Sequence, residues 1–310
     1  MKPAHRFAIA TCEELWTREC LEWRVSHGAL QQSGTRITAT DAADQELLSR
    51  AEERLREGRA AIATLPDVRA RIVASSRRAG DRVRDDVIIV LSRAGLSLVT
   101  WPEHALEDWN WLEMCEAPPA RRQVTYRGIP IVWTRGSAAV LFHEGAGHAA
   151  EHGAPPLRWP GWISVQDEPA FDDTGAAPRV ADLLAGEPPR ALRRASFVDV
   201  ALPRMSSIVV RQQGATMDLP SPRIEISLLS GGSYEPLTDE VSLHVSVAHL
   251  IAEGARTQLS PFVIEESRQG IRRSLRGATG EPQRYPGVIC SSEGQQLFAA
   301  SAAPVMLTWF

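Results

Sequence analysis

The sequence is poor in cysteine, has no long apolar run and carries no strong charge of one sign, and each shortage removes a class of protein. Cys12, Cys20, Cys115 and Cys290 are the only four cysteines in 310 residues. They are too few and too scattered for a disulfide framework. A reducing, cytoplasmic setting is the expectation, in which a lone cysteine is free to be a metal ligand, a nucleophile or a small core residue. No stretch approaches about 18 consecutive apolar residues, so no membrane span is expected. Met1 to Ala10 lacks the apolar core of a secretory signal. A net charge of −4 and a pI near 6.1 give no electrostatic case for nucleic acid or anionic membranes. The local basic cluster Arg190, Arg193 and Arg194 reads as solvated surface.

What is present is the balance of a globular protein: 44% hydrophobic and 23% charged residues. The length suffices for two domains with a buried core. Residues 41 to 62 read as a helix, with Leu47, Leu48, Ala51 and Leu55 on one face and Glu and Arg opposite. Thr40 or Asp41 serves as its cap, and Pro66 lies beyond its end. Val87 to Leu91 is a β-branched run suited to a buried strand, turning at Ala94-Gly95 into a partner at Leu96 to Thr100. A Trp-rich stretch (Trp101, Trp109, Trp111) leads to Ala117-Pro118-Pro119, which reads as a linker.

The second half reads differently. Ile129 to Trp133 is a strand candidate ended by Gly136, and Pro130 puts it at a sheet edge or near its own start. A helix begins near Ser137 or Ala138. Residues 154 to 190, rich in Pro, Gly and Asp, read as a long ordered loop. Strand candidates follow at 196 to 202, 206 to 211, 223 to 229 and 240 to 247, the last alternating as a half-buried strand does. The expected fold class is α+β in two domains. A mixed α/β domain spans 1–118. A β-rich, barrel-like domain with an antiparallel sheet spans 119–310 and carries one functional helix.

That helix holds His143-Glu144-Gly145-Ala146-Gly147-His148. Zinc hydrolases need neutral imidazoles to hold the ion and a carboxylate to take a proton from the attacking water. In the HExxH pattern the histidines are four apart on one helix face. Here they are five apart, and five steps of about 100° leave the side chains about 140° apart on a regular helix. Convergence needs a π-bulge or a break, and Gly145 and Gly147 supply permissive residues at that point. Two other readings stay open on pattern alone. His148-Ala-Ala-Glu151-His152 matches the inverted HxxEH pattern, whose geometry is simpler. A helix with ordinary surface histidines is the third.

Ala138 through Glu151 resembles the signature of the TldD/PmbA peptidases, also called the modulator of DNA gyrase family, in which an apolar run leads into HExxxHxxE. Further segments follow in the family's order. These are Val165 to Pro169, Asp172-Asp-Thr-Gly175, Pro203-Arg-Met-Ser-Ser207, Gly231-Gly-Ser, Glu240 to Leu243, Ala248 to Gly254 and Gly287 to Gln295. The match covers roughly residues 120 to 310, with an N-terminal part shorter than the family's. His152 stands where the family usually has a small residue. PmbA-type (TldE) chains lack the HExxxH residues, so the resemblance is to the catalytic TldD type.

The resemblance implies that His143, His148 and Cys290 bind zinc and that Glu144 is the general base. Glu151, three residues after His148, is a candidate to orient an imidazole. It also implies hydrolysis of unfolded peptides, including precursors of ribosomally made peptides, by a dimer with a TldE-like partner or with itself. Cys12, Cys20, Cys115, His244 and His249 match no ligand position and are expected to be structural. The alternative in another class is a non-catalytic, substrate-presenting subunit, against which the intact motif argues. A third reading is a small-molecule amide hydrolase.

Overall fold

The structure is a computed structural model that describes residues 7–16, 21–27, 31–32, 35–36, 42–63, 65, 68–79, 81–115, 124–195, 199–214, 217–292 and 294–310. The expected linker at 117 to 119 lies outside them. The architecture is mixed α/β and dominated by sheet.

The helix expected from residue 41 spans Ala42–Ile62. Its apolar face is the one read from the periodicity, with Leu47, Ala51 and Leu55 at most 1% exposed. It packs so closely on the strand Arg69–Ala79 that a Cβ at Gly58 would lie 2.6 Å from Ile72 Cγ2. That strand pairs antiparallel with Phe7–Trp16 on one edge and Arg82–Arg93 on the other. Arg82–Arg93 then turns through Ala94 and Gly95, both at positive φ, into Leu96–Thr100. The expected hairpin is thus present, and its first strand is longer than the β-branched run alone.

The second half is built around a short, fully buried strand, Ile131–Trp133. It pairs parallel with Arg223–Glu235 and antiparallel with Gln295–Thr308. The strand is therefore interior, and Pro130 is accommodated because it precedes the first paired residue. The sheet continues from Arg223–Glu235 to Glu240–Ala252, whose Val241, Leu243, Val245 and Val247 are buried in the expected alternation. Gln295–Thr308 pairs along its length with Leu275–Ser292 and, in parallel, with Ser207–Gln212. Two parallel pairings make this a mixed sheet, which corrects the antiparallel expectation. Gly287 also pairs with Val99, a ladder step between the two halves of the chain.

Two further expectations are corrected. The stretch 154 to 190 contains the strands Ile163–Asp167 and Ala181–Asp182, the first paired with Ser207–Gln212. Its Pro and Gly content masked a five-residue alternation with Ile163, Val165 and Asp167 turned inward. The basic cluster is not uniformly solvated: Arg193 is only 8% exposed. Of the strand candidate 196 to 202, residues 199–202 are described, and of these only Leu202 is in a strand, the short Leu202–Pro203 paired with Leu192–Arg193.

Candidate metal centre

Chain reversal places the histidine segment. After Trp133 the backbone turns at Arg135 and Gly136, both at positive φ. A Cβ at Gly136 would sit 2.3 Å from the Gln283 carbonyl, so only glycine fits the approach. Ser137 Oγ donates to the Ile226 carbonyl at 2.9 Å and ties the helix entry to the sheet. Ala138–Phe142 follows as an α-helical turn with all five residues buried. A helix apolar on every side is driven into the core, and it carries the next residues in with it.

The next six, His143–His148, are π-helical, and Ala149–Glu151 returns to α-geometry. Hydrogen bonding from i to i+5 stacks residues five apart, which removes the angular conflict in the spacing. The two imidazole centroids are 4.9 Å apart and the rings nearly perpendicular. The glycines contribute space rather than unusual backbone angles, since neither Gly145 nor Gly147 has positive φ. A Cβ at Gly147 would lie 1.9 Å from Met205 Sδ.

Cys290 reaches the same point from Leu275–Ser292. One donor atom from each of His143, His148 and Cys290 lies within 4.8 Å of the others. Cys290 Sγ is 3.4 Å from His148 Nε2. Sulfur and nitrogen sharing one tetrahedral zinc ion stand about 3.6 Å apart, given bond lengths of roughly 2.3 and 2.1 Å. Two nitrogens and one sulfur suit a borderline-soft ion and leave a coordination position open. The residues present therefore fit such an ion.

The remaining carboxylates divide the labour. Glu151 Oε2 accepts from His148 Nδ1 at 2.7 Å, leaving Nε2 for the donor group. Its other oxygen accepts from the Met205 N–H at 3.0 Å. Glu144 is 4% exposed; one oxygen lies 3.7 Å from His148 Nε2, and that same Oε2 has no hydrogen-bond partner among the described residues. Burial pushes the Glu144 carboxyl up to about 7. Burial also holds His143 well below the usual imidazole range, with His148 adding to the effect. Burial alone would lower His148 too, but its hydrogen bonds to Cys290 and Glu151 prevail and push it up to about 11. A cation among the donors would reverse that preference, because it repels the imidazolium proton.

His152 stands apart: it is exposed, and its ring lies 6.1 Å from that of Tyr234. The inverted pattern therefore shares only His148 with the donor group. His249 is an outer residue beside Arg256. The side chains of Cys12 and Cys20 lie outside the described residues, and Cys115 is a half-buried thiol near Trp111.

Two residues of the site had no role in the sequence reading. Arg204, 3% exposed, donates to Cys290 Sγ at 3.0 Å and to the Cys290 carbonyl at 3.2 Å. Its Nε lies 3.7 Å from Glu151 Oε1. Gly232 brings a sheet strand against the motif, since a Cβ there would fall 2.6 Å from Glu144 Cγ. Arg204 sat in the Pro-Arg-Met segment, where a lone arginine among apolar neighbours was the available signal.

No family model and no curated protein matches the chain. Among solved structures, TldE from Thermococcus kodakarensis superposes with a TM-score of 0.54 at 11% identity, over 98% of this chain and 94% of that one. This chain has the fold of TldE. A protein from Bacteroides thetaiotaomicron, provisionally assigned as a modulator of DNA gyrase, aligns at 10% identity and a TM-score of 0.45, over 99% and 94%. The resemblance read from the sequence is borne out in the TldE fold. No described helix is long and apolar enough to cross a membrane.

Proposed function

We propose that the chain is a zinc-dependent peptidase of the TldD type, acting on unfolded peptides in peptide maturation or degradation. One observation carries this reading: His143 and His148 from one helical segment and Cys290 from a distant strand converge beside a buried carboxylate, one oxygen of which has no partner among the described residues. The chemistry a zinc ion supplies when bound is polarisation of the scissile carbonyl and acidification of water. The chain's own residues do the rest. Glu144 takes the proton from the attacking water and passes it to the leaving amine. Glu151 holds the His148 imidazole in one orientation, and Arg204 braces Cys290 and Glu151 together. The surrounding sheet suits an extended peptide added as a strand. A TldE-like partner, or a second copy, belongs to the same reading.

Glu144→Ala should keep its zinc and lose peptide cleavage by at least about a hundredfold. Retained cleavage would remove Glu144 from the mechanism. The TldE likeness favours a second reading, a substrate-presenting subunit without catalysis. Full folding with near-zero zinc would support that one instead.

A further inference from the structure

Beside the donor group lies a cavity of about 280 Å³. One wall is made by cross-strand pairs of a single hairpin, Val73 with Ile88 and Arg77 with Arg84. Like charges placed directly opposite destabilise a sheet. Asp173 accepts from Arg77 at 3.2 Å, and Asp86 from Arg84 at 2.8 Å. The facing wall carries Arg193, Ser206 and Leu297.

Arg193 is the unusual group. It is 8% exposed, and its guanidinium donates to two backbone carbonyls, those of Met205 and of Phe298, the latter at 2.7 Å. Among the described residues no carboxylate forms an ion pair with it. A buried charge satisfied only by carbonyl dipoles is costly, and an anion relieves the cost. Burial first, and then the repulsion of Arg77 and Arg84, pull Arg193 down to about 10. Two further groups on this cavity lack partners among the described residues: Ser206 Oγ, in a residue 9% exposed, and Arg77 Nε.

Three guanidinium groups, of Arg77, Arg84 and Arg193, line the cavity against the single carboxylate of Asp86, with Asp173 behind Arg77 and Asp167 behind Ser206. An anion suits such a lining. Val73, Ile88, Trp101 and Leu297 add an apolar part to the lining, beside Ser75 and Gln296. Position ties the cavity to the first site. Ser206 follows Met205, whose N–H is held by Glu151, and Leu297 is the register partner of Cys290.

The geometry points to a pocket for the C-terminal carboxylate and apolar last side chain of a peptide, held by Arg193, Arg77 and Ser206. The choice of a peptide as carrier rests on the peptidase reading. The carboxylate accepts from Ser206 Oγ and the guanidinium edges, while the last side chain packs on Ile88 and Trp101.

The test is calorimetric titration of the full chain, and of Glu144→Ala to exclude turnover, with acetyl-Ala-Leu as free acid and as C-terminal amide. The free acid should bind about tenfold or more tightly than the amide, the difference expected of a charge-assisted hydrogen bond. Arg84→Gln, at the partly exposed rim, should weaken the acid several-fold and leave the amide unchanged, as should Ser206→Ala. Arg193→Met should abolish the preference, and the two milder variants carry the test if it fails to fold. Equal binding of acid and amide would overturn the assignment. So would tighter binding of inorganic phosphate, or of acetyl-Asp-amide, in which the charge sits on a side chain. The titration reads binding alone, so a chain without zinc that prefers the acid would sink the peptidase reading and leave this pocket standing.

Discussion

The donor group and the arginine cavity are neighbours with opposite deficits. Around His143 the unpartnered buried atoms among the described residues include an imidazole nitrogen and a carboxylate oxygen, groups that a cation and a water complete. Around Arg193 they include the Arg77 Nε and the Ser206 hydroxyl, and three arginines line the cavity, which suits an anion. Met205-Ser206 and the Cys290–Leu297 pair join the two. Two adjacent sites of opposite demand suit one ligand with a polarisable carbonyl and a carboxylate. A peptide is such a ligand.

Four changes would break or sharpen that contrast. The largest effect is expected at the donors. His143→Ala and Cys290→Ala should each weaken zinc by more than about a hundredfold in chelator competition, whereas His152→Ala should not. Equal losses at His143 and His152 would revive the inverted pattern. Arg204→Met comes next. Removing the donor to Cys290 Sγ and the neighbour of Glu151 should cost about 10- to 100-fold in zinc affinity. Arg204→Lys should restore part of it, and unchanged affinity would make Arg204 a packing residue only.

A third change tests the electrostatics of the metal-free site. Glu144 has its carboxyl raised from 4.5 to about 7, so between those values the folded chain holds a proton that the unfolded chain has released. Read as the difference between wild type and Glu144→Gln in urea titrations of the metal-free protein, the Glu144 contribution should be full below pH 4.5, fall by about 3 kcal/mol as pH rises to 7, and level off above. The same pH slope in both proteins would refute the assignment. The smallest effect is steric. Gly232→Ala places a Cβ against Glu144 and should cost roughly 1–3 kcal/mol of stability by overpacking. An unchanged melting temperature would mean that the strand yields freely.

The two sites also differ in how far the sequence discloses them. His143, Glu144, His148 and Glu151 lie within nine residues, so one helical segment, widened to π-geometry at its centre, dictates their geometry. Cys290 came from a resemblance, since no local rule links it to residue 143. Arg193 was legible as a charge and misread as solvated, because its burial depends on a wall supplied by residues 73 to 88 and 297. The same holds for the fold. Ala42–Ile62 and Leu96–Thr100 carry their own periodicity. Arg69–Ala79 hides a buried alternation of Ala70, Ile72, Ala74 and Ser76 among arginines. Leu275–Ser292, interrupted by register shifts, has no period to read.

The central claim is the three-donor site, and metal analysis of the folded full-length protein tests it most directly. About one zinc ion per chain should be found, retained in Glu144→Ala and lost in Cys290→Ala. A folded chain that takes up no zinc, or a Cys290→Ala variant that holds it as tightly as before, would contradict the account.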